Sequence, residues 1–368
     1  MSPRHVAVIG AGILGSTLAL RLAERGLRVS LVEAHEVGAG TSRTSLAWIN
    51  SNKRIRRKYH DLAVASMIEW AQLAAEFNDP AWYSPCGNLI WADPEDETAV
   101  AELDQRVQRL RGRDYPAQFL TRQQLHDLAP QLRPPSTAEV AWFPSEGYLD
   151  GQAASRDLAA RARSLGARLI TGDPVTRLEP GPRHVTLALA SGQRLRPDTV
   201  ICCTGWTTPR FVHDHLGIDL PVIDAHTTKS RAVCLIATVE PARFHRVVHA
   251  PDIYLRPTGY QGLVLEASDI DARTDLAISS TQLHHLGQEL LRRAQRIFPG
   301  LSDASVALTE RCIRPMPQDG YPLAGWIAPN VYLLFTHSGI TLAPRLATLV
   351  AEDVIEPCPE LTSYRPNR

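Results

Sequence analysis

The chain has 368 residues, of which 44% are hydrophobic and 21% charged. This composition is typical of a folded globular protein and excludes a disordered or fibrous one. Lys plus Arg and Asp plus Glu both number 39, so the formal net charge is zero. A zero net charge excludes an overall basic field for nucleic acid or a membrane surface, and we expect small-molecule partners.

The N-terminal segment predicts a nucleotide-binding βαβ unit. A buried strand is followed by Gly10, Gly12 and Gly15 in a Gly-x-Gly-x-x-Gly pattern, and then by an amphipathic helix and a second strand. The first glycine permits a tight turn, the second lets the backbone approach a pyrophosphate, and the third lets the helix pack on the strand. Glu33 ends the second strand and is placed to bind a ribose diol. An acid here favours NAD or FAD over NADP.

The middle of the chain predicts one packed helix, a β-meander and the strands of a further sheet. Leu62, Trp70 and other apolar residues between positions 59 and 77 recur at helical spacing and predict a helix that packs on the nucleotide-binding unit. Residues 173–206 predict a β-meander whose strands are joined by Gly-Pro and Ser-Gly turns, followed by a buried strand and Thr204-Gly205. The runs "GNLIWA", "SRAVCLIAT" and "IYLRPTGYQGLVLEA" predict an antiparallel sheet.

Two C-terminal segments complete the pattern. The run "RCIRPMPQDGYPLAG" at 311–325 contains three prolines, which exclude a helix and hold Cys312 and Arg314 on a rigid extended segment. The sequence "THSGITLAP" at 336–344 predicts a glycine turn that leads into an amphipathic helix. N–H groups at the start of this helix can stabilise negative charge on a bound group.

These segments together resemble the D-amino-acid oxidase superfamily of FAD amine oxidases, which includes glycine oxidase and monomeric sarcosine oxidase. The motifs that carry the resemblance are the glycine fingerprint, "PSEGYLDG" at 144–151, "RPMPQDGYPLAG" and "THSGITLAP". The resemblance implies an α/β chain (α+β overall), in which a Rossmann-like FAD-binding domain interleaves with a substrate domain built on a large antiparallel sheet. It implies an FAD-binding domain from 1–85, 150–215 and 311–368, and a substrate domain from 86–149 and 216–310.

The resemblance also implies which residues form the site. Arg314 is expected to clamp the substrate carboxylate, with a structural ion pair, for example with Asp319, as the alternative. Tyr254, Arg256 and His337 are expected to line the substrate pocket. Cys312 stands where monomeric sarcosine oxidase has the cysteine that bonds to the flavin 8α-carbon, so FAD is bound covalently or the thiol is buried and inert. The residues expected to contact FAD are Gly10, Gly12, Ile13, Leu14, Gly15, Glu33, Ala34, Thr41, Ser42, Ser45, Ala47, Val175, Thr204, Gly205, Trp206, Cys312, Arg314, Gly339, Ile340 and Thr341.

The implied reaction is oxidation of a C–N bond in a small amino acid or secondary amine, with hydride transfer to flavin N5 and an imine product. The electron acceptor is oxygen or, in a dehydrogenase, another molecule. Monomeric sarcosine oxidase has a lysine where this chain has Val264, so Lys229 or Arg256 would have to supply an oxygen-activating cation. Two other functions stay open: a flavin hydroxylase or NAD-linked reductase, although no second Gly-x-Gly-x-x-Gly is present, and a non-catalytic flavin-stabilised assembly protein.

Three further features are weaker. The basic run "KRIRRK" at 53–58 is interpreted as a solvated face, with a phosphate contact or a second carboxylate clamp through Arg57 as alternatives. The paired histidines 213/215 and 284/285 lack ligands at metal spacing, so no metal is expected. The six cysteines show no disulfide spacing, and no signal peptide or long apolar segment is evident, so we expect a cytoplasmic protein.

Overall fold

The computed structural model describes residues 3–227, 230–259 and 261–368. It is a mixed α/β structure, as predicted, and its described strands form four sheets. The described helices are α1 (Ile13–Glu24), α2 (Arg57–Glu76), α3 (Glu97–Arg111), α4 (Arg122–Leu128), α5 (Gly151–Ser164), α6 (Thr208–Leu216), α7 (Ser268–Asp271), α8 (Ser280–Ile297) and α9 (Gly339–Asp353). None of these helices is long and apolar enough to cross a membrane.

A six-stranded sheet carries the glycine fingerprint. Its strand order is β19-β20-β13-β1-β2-β9, and all neighbours are parallel except β19 and β20. Helix α1 contacts α5 and α9, and α2 packs on α9, so the apolar stripes of these helices share one core with the sheet. The strands are β1 (His5–Ile9), β2 (Arg28–Val32), β9 (Arg168–Ile170), β13 (Thr199–Cys202), β19 (Leu323–Ala328) and β20 (Val331–Phe335).

The predicted meander is confirmed as an antiparallel sheet of β10 (Val175–Pro180), β11 (Val185–Leu189) and β12 (Arg194–Leu195). Its alternating apolar residues, such as Leu178 and Leu187, pack against the other face of the six-stranded sheet. A further small sheet joins β3 (Trp48–Ile49), β8 (Gly147–Leu149) and β4 (Tyr83–Ser84).

The large antiparallel sheet is also present, with the order β18-β14-β17-β16-β15-β5-β7-β6 and one parallel pair, β5 with β15. Helix α8 covers one face through a stripe of leucines, and the other face looks towards the six-stranded sheet. The strands are β5 (Asn88–Ile90), β6 (Gln118–Leu120), β7 (Val140–Phe143), β14 (Val233–Glu240), β15 (Val247–His249), β16 (Tyr254–Pro257), β17 (Leu263–Glu266) and β18 (Ser305–Ile313).

The predicted domain boundaries fall near the ends of these sheets, with two exceptions. Strand β8 lies within the predicted substrate domain but pairs with β3 and β4 of the predicted FAD-binding domain. Strand β18 crosses the predicted boundary at 311, and Cys312 pairs with Cys234 within the eight-stranded sheet. The division into two domains stays a prediction. Its boundary at 311 places Cys312 with the nucleotide-binding unit, whereas hydrogen bonding places it on the other sheet.

Candidate active site

A cavity of about 770 Å³ lies where the carboxyl ends of β1, β2, β13 and β20 meet one face of the eight-stranded sheet. Parallel strands expose their carboxyl ends at one edge, and in open α/β sheets ligands bind there. The cavity therefore has a nucleotide end, built from the glycine turn and its neighbours, and a second end built from β14, β16, β17 and β18.

The glycines of the fingerprint leave the space that a dinucleotide needs. Gly10 has a φ of +98°, and a Cβ there would lie 2.4 Å from the carbonyl oxygen of Cys203. A Cβ on Gly15 would lie 1.8 Å from the carbonyl oxygen of Gly10, which explains its role in packing helix on strand. Gly12 instead faces the cavity, where an added Cβ would approach only the Ser42 hydroxyl, at 3.2 Å. Because Gly12 has no side chain, space is left beside the backbone of the turn, and this space fits the pyrophosphate of FAD.

Polar groups around this turn are held in place by the chain itself. The Ser42 hydroxyl accepts a hydrogen bond from the Ile13 N–H at 2.9 Å, at the start of α1. The Glu33 carboxylate accepts hydrogen bonds from the N–H groups of Ala11, at 2.7 Å, and His35, at 2.9 Å. Both side chains line the cavity, so the acid stands where a ribose contact was predicted.

The start of α9 forms another wall. Thr341 accepts a hydrogen bond from the Asn50 N–H at 3.3 Å and donates one to the Trp48 carbonyl at 3.2 Å, which ties α9 to β3. Gly339, Ile340 and Thr341 line the cavity together. The positive end of a 15-residue helix therefore points into the site.

Nearly all of the predicted cofactor residues line this one cavity, although their contacts with FAD stay predictions. Gly15 does not line it, because it lies behind the turn against Gly10. The predicted residues found in the lining are Gly10, Gly12, Ile13, Leu14, Glu33, Ala34, Thr41, Ser42, Ser45, Ala47, Val175, Thr204, Gly205, Trp206, Cys312, Arg314, Gly339, Ile340 and Thr341.

Arg314 lines the cavity beside two buried acids. Its Nη1 lies 3.7 Å from Oε1 of Glu266, its Nη2 lies 3.5 Å from Oδ2 of Asp271, and Nη2 also donates to the Arg231 carbonyl at 2.8 Å. Asp319 instead accepts hydrogen bonds from Arg368, at 2.9 Å, so the acids beside Arg314 are Glu266 and Asp271, and the alternative of a structural ion pair stays open. The sequence did not indicate these acids, which come from β17 and α7.

The charges of this group are set by burial. Burial and the negative charge of Glu266 raise the pKa of Asp271 to about 8. Burial also raises the pKa of Glu266, although the guanidinium of Arg314 opposes this shift. Asp271 therefore holds a proton at neutral pH, and the guanidinium of Arg314, followed by the hydrogen bond with Asp271, favours the ionised form of Glu266. Cys234 could join both acids in holding a metal ion, but the Arg314 cation already contacts the two carboxylates.

Of the residues predicted to line the substrate pocket, Tyr254 and His337 do so. The Tyr254 hydroxyl lies 2.9 Å from the Ser268 hydroxyl. Desolvation, followed by the charges of Arg314 and Arg54, lowers the pKa of His337 to about 4, so its ring is neutral at physiological pH.

Arg256 does not line the cavity. Its guanidinium donates to the carbonyls of Leu46 at 2.5 Å, Pro257 at 2.7 Å and Ser45 at 3.3 Å, and so supports the loop that forms the cavity floor. This engagement is at odds with the suggestion that Arg256 activates oxygen. Lys229, the other residue considered for that role, lies outside the described residues.

The basic run contributes two cavity residues, which corrects its interpretation as a wholly solvated face. Lys53 is exposed but lines the open cavity, with its Nζ 5.5 Å from the Trp48 ring and 5.4 Å from the Tyr254 ring. Arg54 is also in the lining; it is 8% exposed, donates to the Asn50 side chain at 3.0 Å and stacks on Tyr59.

The rest of that run fits the solvated interpretation. Ile55, Arg56, Arg57 and Lys58 are exposed. Arg57 forms an ion pair with Asp61 on the surface of α2, which does not support a carboxylate clamp. Within this run, only the turn that follows β3 places basic side chains at the cavity, and no periodic pattern in the sequence marks that turn.

A fully buried acid, Glu146, supports the cavity wall from behind. It accepts hydrogen bonds from the Tyr115 hydroxyl at 2.6 Å, from the amides of Asn52 and Asn88 at 2.8 to 2.9 Å, and from the Trp48 indole at 3.0 Å. Burial raises the pKa of Glu146 to about 7, against the effect of these donors. The motif "PSEGYLDG" carries the family resemblance, but nothing in the sequence indicates this role for its glutamate.

Cys312 is 1% exposed and lines the cavity directly opposite Cys234 on the neighbouring strand. The Cys234 thiol lies 3.5 Å from the Cys312 carbonyl oxygen. The hydrogen bond with Cys312 and burial raise the pKa of Cys234 well above its usual range. The position of Cys312 allows either covalent attachment or an inert thiol.

Comparison with known proteins supports the family resemblance. Residues 5–353 match the family described as DAO, FAD dependent oxidoreductase. The glycine oxidase of Geobacillus kaustophilus is 24% identical over 365 residues, which cover 95% of this chain and 92% of that protein.

Solved structures share the fold. The L-proline dehydrogenase of P. horikoshii superposes with a TM-score of 0.83 at 19% identity, covering 100% of this chain and 97% of that one. The iminodiacetate oxidase of Chelativorans sp. BNC1 superposes with a TM-score of 0.80 at 21% identity, covering 98% of both chains.

Proposed function

The chain belongs to the DAO family of FAD-dependent oxidoreductases, and from that premise we propose that it oxidises a C–N bond in a small amino acid or secondary amine. The observation that supports the proposal is that the glycine turn and the Arg314 guanidinium line the same cavity. When bound, FAD supplies the hydride acceptor for this oxidation, at N5 of its flavin ring. The product is an imine. Water hydrolyses it, or, when the substrate is a cyclic amine, the C=N bond stays within the ring.

Arg314 anchors the substrate by its carboxylate. A guanidinium matches a carboxylate with two parallel hydrogen bonds and stays charged at any working pH. The neighbouring Pro315 and Pro317 restrict the backbone, and the Arg314 N–H donates to the Ala232 carbonyl at 2.7 Å. The anchored substrate would present its α-carbon in a fixed orientation, which is a large part of the rate enhancement in such sites.

The substrate end of the cavity contains both signs of charge and an aromatic wall. Lys53, Arg54 and Arg314 are cationic and Glu266 is anionic, while the rings of Trp48 and His249 pack at a tilt with their centroids 3.9 Å apart. A small zwitterion suits this surface better than an uncharged amine. One relative is named a glycine oxidase and one structural neighbour an L-proline dehydrogenase. Glycine is a primary amine and proline a secondary amine, and both carry an α-carboxylate.

We propose oxygen as the electron acceptor, with Lys53 as the cation. Transfer of an electron to oxygen creates superoxide, and a nearby positive charge in a low-dielectric site stabilises it. Lys53 lies after β3, whereas Val264 lies on β17. Lys53 would therefore supply the positive charge from a different part of the chain. The second candidate is an electron acceptor other than oxygen, as in a dehydrogenase. It is favoured by the buried, apolar Val264, which stands where monomeric sarcosine oxidase has a lysine.

The test is a substrate screen without oxygen. The purified holoenzyme would be mixed with glycine, sarcosine, D-amino acids, L-proline and pipecolate, and loss of flavin absorbance recorded. We expect at least one of these to bleach the flavin. If none does, the chain is a flavin-binding protein without amine turnover, and the proposed function is refuted.

Arg314→Ala then tests the carboxylate anchor. Loss of charge-assisted hydrogen bonds worth roughly 1.5 to 3 kcal/mol each predicts at least ~10-fold weaker binding of a carboxylated substrate. A matching amine without the carboxylate should be much less affected. Arg311→Ala is the matched control, since Arg311 lies on β18, three residues before Arg314, and donates to the Leu276 carbonyl outside the cavity. Equal loss with both substrates would show that Arg314 is structural.

A further inference from the structure

Glu266 is an unexpected residue in a pocket that must take a carboxylate. It ends β17, is 9% exposed and lines the cavity. Its Oε1 lies 3.7 Å from Nη1 of Arg314, the proposed anchor. A fixed negative charge there repels a substrate carboxylate and competes with it for the guanidinium of Arg314. The acid is therefore a disadvantage unless the ligand also carries a positive charge.

Asp271 lies beside Glu266, outside the cavity, and the two side chains share a hydrogen bond. Its Oδ1 accepts a hydrogen bond from the Leu235 N–H at 3.1 Å, and its Oδ2 lies 3.5 Å from Nη2 of Arg314. Asp271 itself is not in the cavity lining. Because burial raises its pKa to about 8, Asp271 is the member of the pair that carries a proton, and it can donate that proton to Glu266 in a hydrogen bond.

The other titratable groups around Glu266 leave it as the only anion facing the substrate end, within the described residues. Tyr254 stands directly opposite on β16, Lys53 approaches from the loop before α2, and Cys234 lies on β14. Arg314 and Cys312 complete the group from β18 and its end. Arg314 and Glu266 thus present opposite charges side by side, as an α-amino acid presents its ammonium and carboxylate on one carbon.

We propose that Glu266 binds the amino group of the substrate and takes its proton, with Asp271 as its positioning residue. The step breaks one N–H bond of the ammonium and forms an O–H bond on Glu266. The freed nitrogen lone pair then forms the C=N bond as hydride leaves the α-carbon, so the substrate loses two electrons and bound FAD gains them. The inference rests on the proposed function and names its substrates as zwitterionic α-amino acids.

Binding without turnover gives the first test. 2-Aminoisobutyrate lacks an α-hydrogen and cannot be oxidised in this way, and pivalate has the same shape with a methyl group in place of the ammonium. Both are titrated into the holoenzyme and followed by the change in flavin absorbance. The wild type should prefer 2-aminoisobutyrate. Glu266→Gln should weaken its binding about 10-fold and tighten that of pivalate, because the repulsion of the carboxylate is removed.

Opposite changes in the two affinities cannot come from damage to Arg314, which would weaken both. The proposal is overturned if Glu266→Gln binds both compounds more weakly. It is also overturned if the wild type does not prefer 2-aminoisobutyrate, or binds neither compound. Glu240→Gln, an exposed acid at the end of β14, is the matched control and should change neither affinity. If Glu266→Gln fails to fold, Glu266→Asp keeps the charge and must keep the preference.

The second test is the pH dependence of flavin reduction without oxygen. General-base assistance predicts a 10²- to 10⁴-fold slower reduction in Glu266→Gln near neutral pH. This defect should shrink as pH rises towards the pKa of the free amine, because the substrate then arrives already deprotonated. A wild type reduced by no amine refutes the proposed function. A wild type that is reduced, with Glu266→Gln equally fast, refutes this inference alone.

Discussion

The hydrogen-bond network of Glu146 permits a stability prediction with a defined pH dependence. Tyr115→Phe removes a single hydroxyl, which donates to Glu146 at 2.6 Å and accepts the Ser51 N–H at 3.3 Å. Ser51 and Glu146 are both fully buried, so water does not replace either partner. The substitution therefore deletes one hydrogen bond to a carboxylate and leaves one backbone N–H unsatisfied.

The magnitude depends on the charge of Glu146. A hydrogen bond to an ionised group is worth roughly 1.5 to 3 kcal/mol and one between neutral groups roughly 0.5 to 1.5 kcal/mol. The pKa of Glu146 in the folded protein is about 7, against an ordinary value of 4.5, so the carboxyl is protonated at pH 5 and ionised at pH 8. We expect Tyr115→Phe to lower the free energy of unfolding by about 1 to 2 kcal/mol at pH 5 and about 3 kcal/mol at pH 8.

The sign of the pH effect follows from proton linkage. The folded protein holds the Glu146 proton more tightly than the unfolded chain does, so stability from this group falls as pH rises from 4.5 through about 7. Removing a donor to the ionised form raises the folded pKa further. The loss of stability in Tyr115→Phe must therefore grow with pH.

Urea unfolding followed by tryptophan fluorescence, with FAD at the same saturating concentration throughout, measures both values. Tyr321→Phe is the matched control: its ring packs edge-on against Tyr59, and its hydroxyl has no carboxylate partner among the described residues. A loss in Tyr115→Phe that stays constant between pH 5 and pH 8, or shrinks, would refute the reasoning.

Three further predictions concern the cofactor and oxygen. If Cys312 bonds to FAD, acid precipitation should leave the yellow colour in the pellet, and Cys312→Ala should release it; colour in the wild-type supernatant means non-covalent FAD. Gly12→Leu should abolish FAD retention, because its side chain would occupy the space of the pyrophosphate, and a yellow variant would contradict this. Lys53→Met should slow reoxidation of the reduced enzyme by oxygen in stopped flow, whereas the exposed Lys58→Met should not. Wild-type reoxidation no faster than that of free flavin indicates a dehydrogenase, and an unchanged rate in Lys53→Met excludes this cation.

The parts of the site that depend on local backbone geometry were predictable from sequence. Gly10, Gly12 and Gly15 need their exact spacing because one turn must satisfy conformation, ligand space and packing together. The helix that begins at Gly339 and the proline-rich segment after Cys312 likewise follow from short-range rules. The resemblance, which depends on such motifs, therefore predicts cofactor residues nearly all of which line one cavity.

Distances between side chains from different strands were decided only by the tertiary structure. Glu266 and Asp271 meet Arg314 because β17, α7 and the end of β18 converge, and Lys53 enters the cavity because the chain turns inward after β3. No local pattern marks these residues, since an acid or a lysine has the same sequence appearance on a solvated surface and in a cavity. Burial and the charge of a distant neighbour set their chemistry, and both are properties of the packed chain.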